Sequence, residues 1–109
     1  MNVQVHAKDI TLSANAKGHI ETAIAAFKKY SLDITTVNVN LKKEKKGVLV
    51  EFDIHIAHSE PVVINQADED LDTAIDLAID RASKALRRLH DRVVSHKATS
   101  LKEIEVVEE

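Results

Sequence analysis

Apolar and polar residues alternate at the start of the chain. Val3 and Val5 stand between Asn2, Gln4 and His6, the period of two that marks a half-buried strand. Asp9–Leu12 interrupts the pattern, and Ser13 is placed to cap a helix by accepting a backbone N–H. Over Ala14–Tyr30 the period changes: Ile20, Ile24 and Phe27, at spacings of four and three, share one helical face. Gly18 is the weak point of this helix, costing about 1 kcal/mol relative to Ala. Ser31–Thr35 is a connection, after which Val37, Val39 and Leu41 alternate with Asn38, Asn40 and Lys42 in a second strand. Lys42–Gly47 reads as a charged hairpin turn, with Gly47 free to take positive φ. In the third strand Val48, Val50, Phe52, Ile54 and Ile56 point one way, and Glu51, Asp53 and His55 the other. His58–Pro61 turns the chain into a fourth strand, Val62–Gln66.

The last element is a long helix. Asp68 or Asp70 can cap it, and Leu71, Ala74, Ile75, Ala78, Ala82, Ala85, Leu86, Leu89 and Val93 keep helical spacing over its length. Beyond His96 the pattern dissolves. The order β-α-β-β-β-α predicts an α+β two-layer sandwich, a four-stranded, mainly antiparallel sheet with both helices on one face. The other face, bearing Asn38, Asn40, Glu51, Asp53 and His55, is expected to meet water. One domain, residues 1–96, is expected, followed by a disordered acidic tail over residues 97–109.

Composition narrows the core and the site chemistry. Aromatics are only 3% of the 109 residues, so the core is aliphatic. There is no cysteine, which excludes disulfides and thiolate metal sites. MNVQVHAKDI holds no apolar run resembling a signal peptide, and no window approaches a membrane span. A cytoplasmic protein without membrane contact is expected. His55 and His58 form an HxxH whose rings fall on opposite faces of a strand, so no metal is expected. The two glycines make no phosphate loop, and no serine has a nucleophile context, so neither cofactor nor enzyme activity is expected.

Charge redirects attention to the last helix. The net charge is -3, yet Arg81, Lys84, Arg87, Arg88 and Arg92 crowd into twelve residues. Asp68, Glu69, Asp70, Asp72, Asp76 and Asp80 precede them, an order that suits the helix dipole. At 100° per residue, with Leu71 at zero, Arg81, Lys84, Arg88 and Arg92 lie at about 280°, 220°, 260° and 300°, one stripe beside the apolar seam. Asp72, Asp76 and Asp80 occupy the opposite flank, at about 100–180°. The segregation predicts few ion pairs within the stripe. It reads either as a solvated face or as a phosphate-binding ridge, since guanidinium forks match phosphate oxygens. Lys17, Lys28 and Lys29 of the first helix are expected to add charge across the groove between the helices. No aromatic platform for single-stranded bases is present on the polar sheet face, so backbone and shape reading of folded RNA fits better.

Several segments together resemble one family, the bacterial ribosome-associated translation inhibitors and short hibernation-promoting factors. They are the strand NVQVHAKDITLS, the helix end FKKY, the LKKEKKG hairpin with its long following strand, and DEDLDTAIDLAIDRASKALRRLHDR. ATSLKEIEVVEE is similar to the acidic tail of the inhibitor branch. The resemblance implies a fold like that of a double-stranded-RNA-binding domain. It also implies binding to the small ribosomal subunit at the decoding region, where the domain overlaps messenger and transfer RNA and silences translation under stress or in stationary phase. The implied contacts fall on Lys17, Lys28, Lys29, Arg81, Lys84, Arg88 and Arg92, with Arg87 beside them. A monomer is expected, and DNA is not an expected partner. The alternatives are a protein-interaction or self-associating module that uses the sheet, and a generic structured-RNA binder.

Overall fold

A computed structural model describes the backbone of residues 1–102 and the side chains of residues 1–92. Strand β1 (Asn2–Lys8) leads through helix α1 (Ala14–Ala26) and a 3₁₀ turn (Phe27–Tyr30) to β2 (Ile34–Glu44), β3 (Gly47–Ile56) and β4 (Val62–Asp68), and the chain closes with α2 (Leu71–Lys102). The sheet order is β1-β2-β3-β4. β1 runs parallel to β2, which requires the α1 crossover between them. The β2–β3 and β3–β4 pairs are antiparallel. The two-layer α+β architecture is the expected one, with a mixed sheet.

Local chemistry fixes the joints. The Ser13 hydroxyl accepts from Ala16 N at 3.1 Å and caps α1. The connections turn at Asp9, Ser31 and His58, all with positive φ. The 3₁₀ turn replaces the last turn of the helix expected to reach Tyr30. At three residues per turn it points Phe27 and Tyr30 the same way, into the core, and leaves Lys28 and Lys29 outside. Gly47 has φ +151, and a Cβ there would collide with the carbonyl oxygen of Asp68. The hairpin after Lys45 and Lys46 therefore takes a glycine both for its conformation and for the close passage of the end of β4.

The core is the aliphatic one expected. Val37, Val39, Leu41, Val50, Phe52 and Ile54 from the sheet meet Ile20, Ile24, Ile75 and Leu86 from the helices, and Phe27 packs edge-on to Phe52 at 6.5 Å. Among the described residues no polar or charged side chain is buried. α2 lies on β3 and β4 through Ala74, Ala78 and Ala82, whose small side chains let helix and sheet approach closely. β1 is covered less than its alternation predicts: Val5 is half-buried and Val3 is 37% exposed.

α2 extends to Lys102, six residues past the expected boundary at His96. The run KATSLK contains no Gly or Pro to stop a helix, and Lys, Ala and Leu favour one. The rest of the expected tail, residues 103–109, lies outside the described residues.

Candidate nucleic-acid interface

The N-terminus of α2 is fixed by Asp70. Its Oδ2 accepts from Thr73 N at 3.0 Å and from the Thr73 hydroxyl at 2.9 Å. The backbone bond first, then the hydroxyl bond, holds the Asp70 carboxyl below its ordinary range. The cap and the alanine seam together set the rotation of α2, which decides where its charges point.

The acidic flank turns toward α1. His19 Nε2 lies 2.7 Å from Asp76 Oδ1 across the helix–helix seam, in a shallow cleft that Asn15 and Asp72 also line. The groove between the helices is therefore carboxylate-lined. Lys17 and Lys28 lie on the far side of α1, in a cleft of about 400 Å³ shared with Met1, Val3, Val5 and Glu21 of the β1 edge and α1. Lys29 sits with its Nζ 5.3 Å from the centroid of the Tyr30 ring. The expectation of one basic groove between the helices is corrected. The crossover carries α1 to the β1 side, and the face it turns to α2 bears His19.

The stripe on α2 also divides. It runs along the β4 side of the sheet, where Arg81 meets Asn65 and Gln66 and where Arg88 and Arg92 meet Val62. Arg81 donates from Nη1 to the Asn65 carbonyl at 2.6 Å and to Gln66 Oε1 at 3.0 Å. Those bonds tie the side chain to β4, the edge strand of the sheet. Lys84 pairs with Asp80 at 3.1 Å, one turn back, although few pairs were expected. The two positions are only about 40° apart on the wheel, so this contact was legible from spacing. Arg88 and Arg92 share a cleft of about 370 Å³ with Ser59, Glu60, Pro61 and Val62, floored by Ala85 and Leu89. Arg87 is exposed about 100° around the helix from Arg88. Among the described residues Arg87, Arg88 and Arg92 form no ion pair.

The structure thus unites Arg88 and Arg92 from the expected set, ties Arg81 to the sheet, shares Lys84 with a carboxylate, and places Lys17 and Lys28 at the other edge. Sequence reasoning missed the Arg81 anchor and the His19–Asp76 contact, which join residues distant along the chain. Among the described residues no group of three His, Cys, Asp or Glu side chains converges to hold a metal ion, and no helix is long and apolar enough to cross a membrane.

The fold and site define a small α+β domain with two exposed guanidinium groups, unpaired among the described residues, on one helix flank. Residues 3–94 match the family described as Sigma 54 modulation protein / S30EA ribosomal protein, and the chain belongs to that family, whose members are ribosome-associated and non-enzymatic. Among solved structures it is similar to the N-terminal domain of Protein Y from Thermus thermophilus, with a TM-score of 0.71 and 23% identity over 82% of this chain and 99% of that one. It is also similar to a ribosomal subunit interface protein from Coxiella burnetii, with a TM-score of 0.71 and 13% identity over 82% of this chain and 97% of that one. At those identities the two structures speak for the fold alone. Comparison with curated protein sequences found no match.

Proposed function

We propose that this chain is a cytoplasmic, monomeric inhibitor of translation that binds the small ribosomal subunit at the decoding region. It acts by occlusion, filling space that messenger and transfer RNA need, during stress or stationary phase. Membership in a family of ribosomal proteins supports the ribosome as partner. The observation that carries the surface assignment is the Arg88–Arg92 cleft: two exposed guanidinium groups one turn apart, with no carboxylate paired to them among the described residues. Guanidinium forks there can take phosphate oxygens, with affinity that falls steeply as salt rises.

Co-sedimentation with purified small subunits at low and high salt tests the reading. Salt-sensitive binding that is lost in Arg88→Glu/Arg92→Glu is the expected result. Undiminished binding by that variant removes the surface, and preference for naked duplex over subunits selects a generic RNA binder. A second reading, a self-associating module, draws on the exposed Met1 and Val3 at the β1 edge. Salt-insensitive dimers without subunit binding would select it.

A further inference from the structure

The lysines of the β2–β3 hairpin lie away from the Arg88–Arg92 cleft, at the other end of the strands. Lys45 and Lys46 form the turn between β2 and β3. On the sheet face that no helix covers, Lys42 stands directly beside Lys8 across the parallel β1–β2 ladder, and His6 and Asn40 make the next pair on that face. We infer that this corner, Lys8 and Lys42 with the turn lysines Lys45 and Lys46, is a second contact for the phosphate backbone of RNA, separate from the guanidinium cleft.

Three observations carry the contact. The first is a like-charge pair. Val39 and Leu41 are buried, so Asn40 and Lys42 point to the open face. Their register partners His6 and Lys8 share that face. Lys8 and Lys42 thus hold two positive charges on backbones about 5 Å apart. Like charges set directly opposite weaken a sheet, and a bound anion removes the repulsion. The second is freedom. All four lysines are exposed, and among the described residues none forms an ion pair. Asp68 and Glu69 lie with Lys45 and Lys46 on the β4 side of the turn, where Asp68 accepts from Asp70 N at 3.0 Å. Glu44 and Asp9 adjoin the corner in sequence, and Glu51 bounds it beside Asn40. The third is rigidity. Gly47 passes so close to the Asp68 carbonyl oxygen that a Cβ would collide with it, and β3 pairs with β4 from Val48 onward. The turn is therefore held on the sheet.

RNA as the ligand rests on the function proposed above. The corner offers little apolar area beyond the half-buried Leu49 beside Lys42, whereas a protein interface needs an apolar core. A backbone of regularly spaced charges is the better match. Lys42 pairs with Leu49, and Val62 of the guanidinium cleft pairs with Ile54, five residues on, about 17 Å along β3. The two surfaces also lie on opposite faces, since the arginines belong to α2. One straight RNA helix cannot touch both, so the chain holds two RNA segments or one that bends around it. Lysine offers phosphate a point charge without a directional fork. This contact therefore adds affinity and salt dependence, while the arginine cleft sets the register.

Titration of the isotope-labelled full chain with a short RNA duplex, in parallel with poly-glutamate at equal charge, tests the contact by amide shifts. The amides of Lys8, Lys42, Lys46 and Gly47 should move with RNA at low salt, and much less with poly-glutamate. No movement with RNA overturns the contact, and equal movement with both polymers overturns the RNA assignment in favour of an acidic polypeptide. Small-subunit binding is the second readout. Lys8→Gln/Lys42→Gln/Lys45→Gln/Lys46→Gln should bind about tenfold more weakly at low salt, with the slope of log affinity against log salt flatter by about two. An unchanged slope in that variant, with binding still lost in Arg88→Glu/Arg92→Glu, overturns the contact and leaves the functional reading standing. The titration contains no ribosome, so hairpin amides that move with RNA in a chain that fails to bind subunits overturn the functional reading and leave the contact standing.

Discussion

The two edges of the sheet hold their cations in opposite ways. At the β4 edge, α2 lies close on an alanine seam, Arg81 is bonded to the strand, and Arg88 and Arg92 project from a rigid helix over a half-apolar cleft. At the β1 edge, α1 stands off, Val3 and Met1 remain exposed, and the cations are lysines beside a glutamate. Lysine is a flexible point charge, whereas arginine presents a planar fork with less freedom to lose per bond. Close cover by a helix therefore decides which edge can offer a preformed anion surface. Charge count alone does not.

Stability should show the contrast most strongly. Leu86→Ala empties a fully buried position under α2 and should cost about 3 kcal/mol. Val3→Ala at the other edge should cost less than about 1 kcal/mol. Denaturant unfolding measures both, and equal costs would break the comparison. Binding comes next. Arg88→Glu/Arg92→Glu should lower small-subunit affinity on the order of 100-fold, through two lost charge-assisted contacts and added repulsion. Lys17→Glu/Lys28→Glu should lower it by less than about tenfold if lysines at the uncovered edge act mainly through long-range attraction. Filter binding at fixed salt separates the two.

Smaller effects refine the β4 edge. Arg81→Ala should cost about 1 kcal/mol of unfolding free energy, because it releases the Asn65 carbonyl from one exposed bond. It should also leave the subunit salt slope nearly unchanged, since Arg81 is already engaged. The smallest effect concerns the cap. The Asp70 carboxyl is held below its ordinary value of 3.8 by Thr73. Its contribution to stability is therefore present above the ordinary carboxylate range and is lost as pH falls through the depressed folded value. Asp70→Asn should flatten the acid limb of the unfolding midpoint against pH, and an unchanged limb would assign the acid sensitivity elsewhere.

Much of this fold was legible because its strands and its last helix keep clean periods. β2 and β3 bury Val37, Val39, Leu41, Val50, Phe52 and Ile54 as the alternation requires. Ser13 and Asp70 serve as the caps their side chains allow. The 3₁₀ turn at Phe27–Tyr30 was not legible, since periods of 3.0 and 3.6 hardly separate over four residues. The extension of α2 to Lys102 was signalled only by the lack of a breaker after His96. The site was half legible. A helical wheel orders charges around an axis, but neighbours decide which flank meets α1 and which meets β4. Arg81 depends on the register that places Asn65 and Gln66 beside it, and no local pattern encodes that.

Tethered hydroxyl-radical cleavage tests the central claim most directly, since it maps which edge of the domain faces ribosomal RNA. Iron chelates are attached singly at Ser59→Cys, beside the Arg88–Arg92 cleft, and at Thr22→Cys on α1, and each labelled chain is bound to small subunits. Strong cleavage of decoding-region RNA from position 59, exceeding that from position 22, is the predicted result. Cleavage from position 22 alone, or none above free iron from either, would contradict the account.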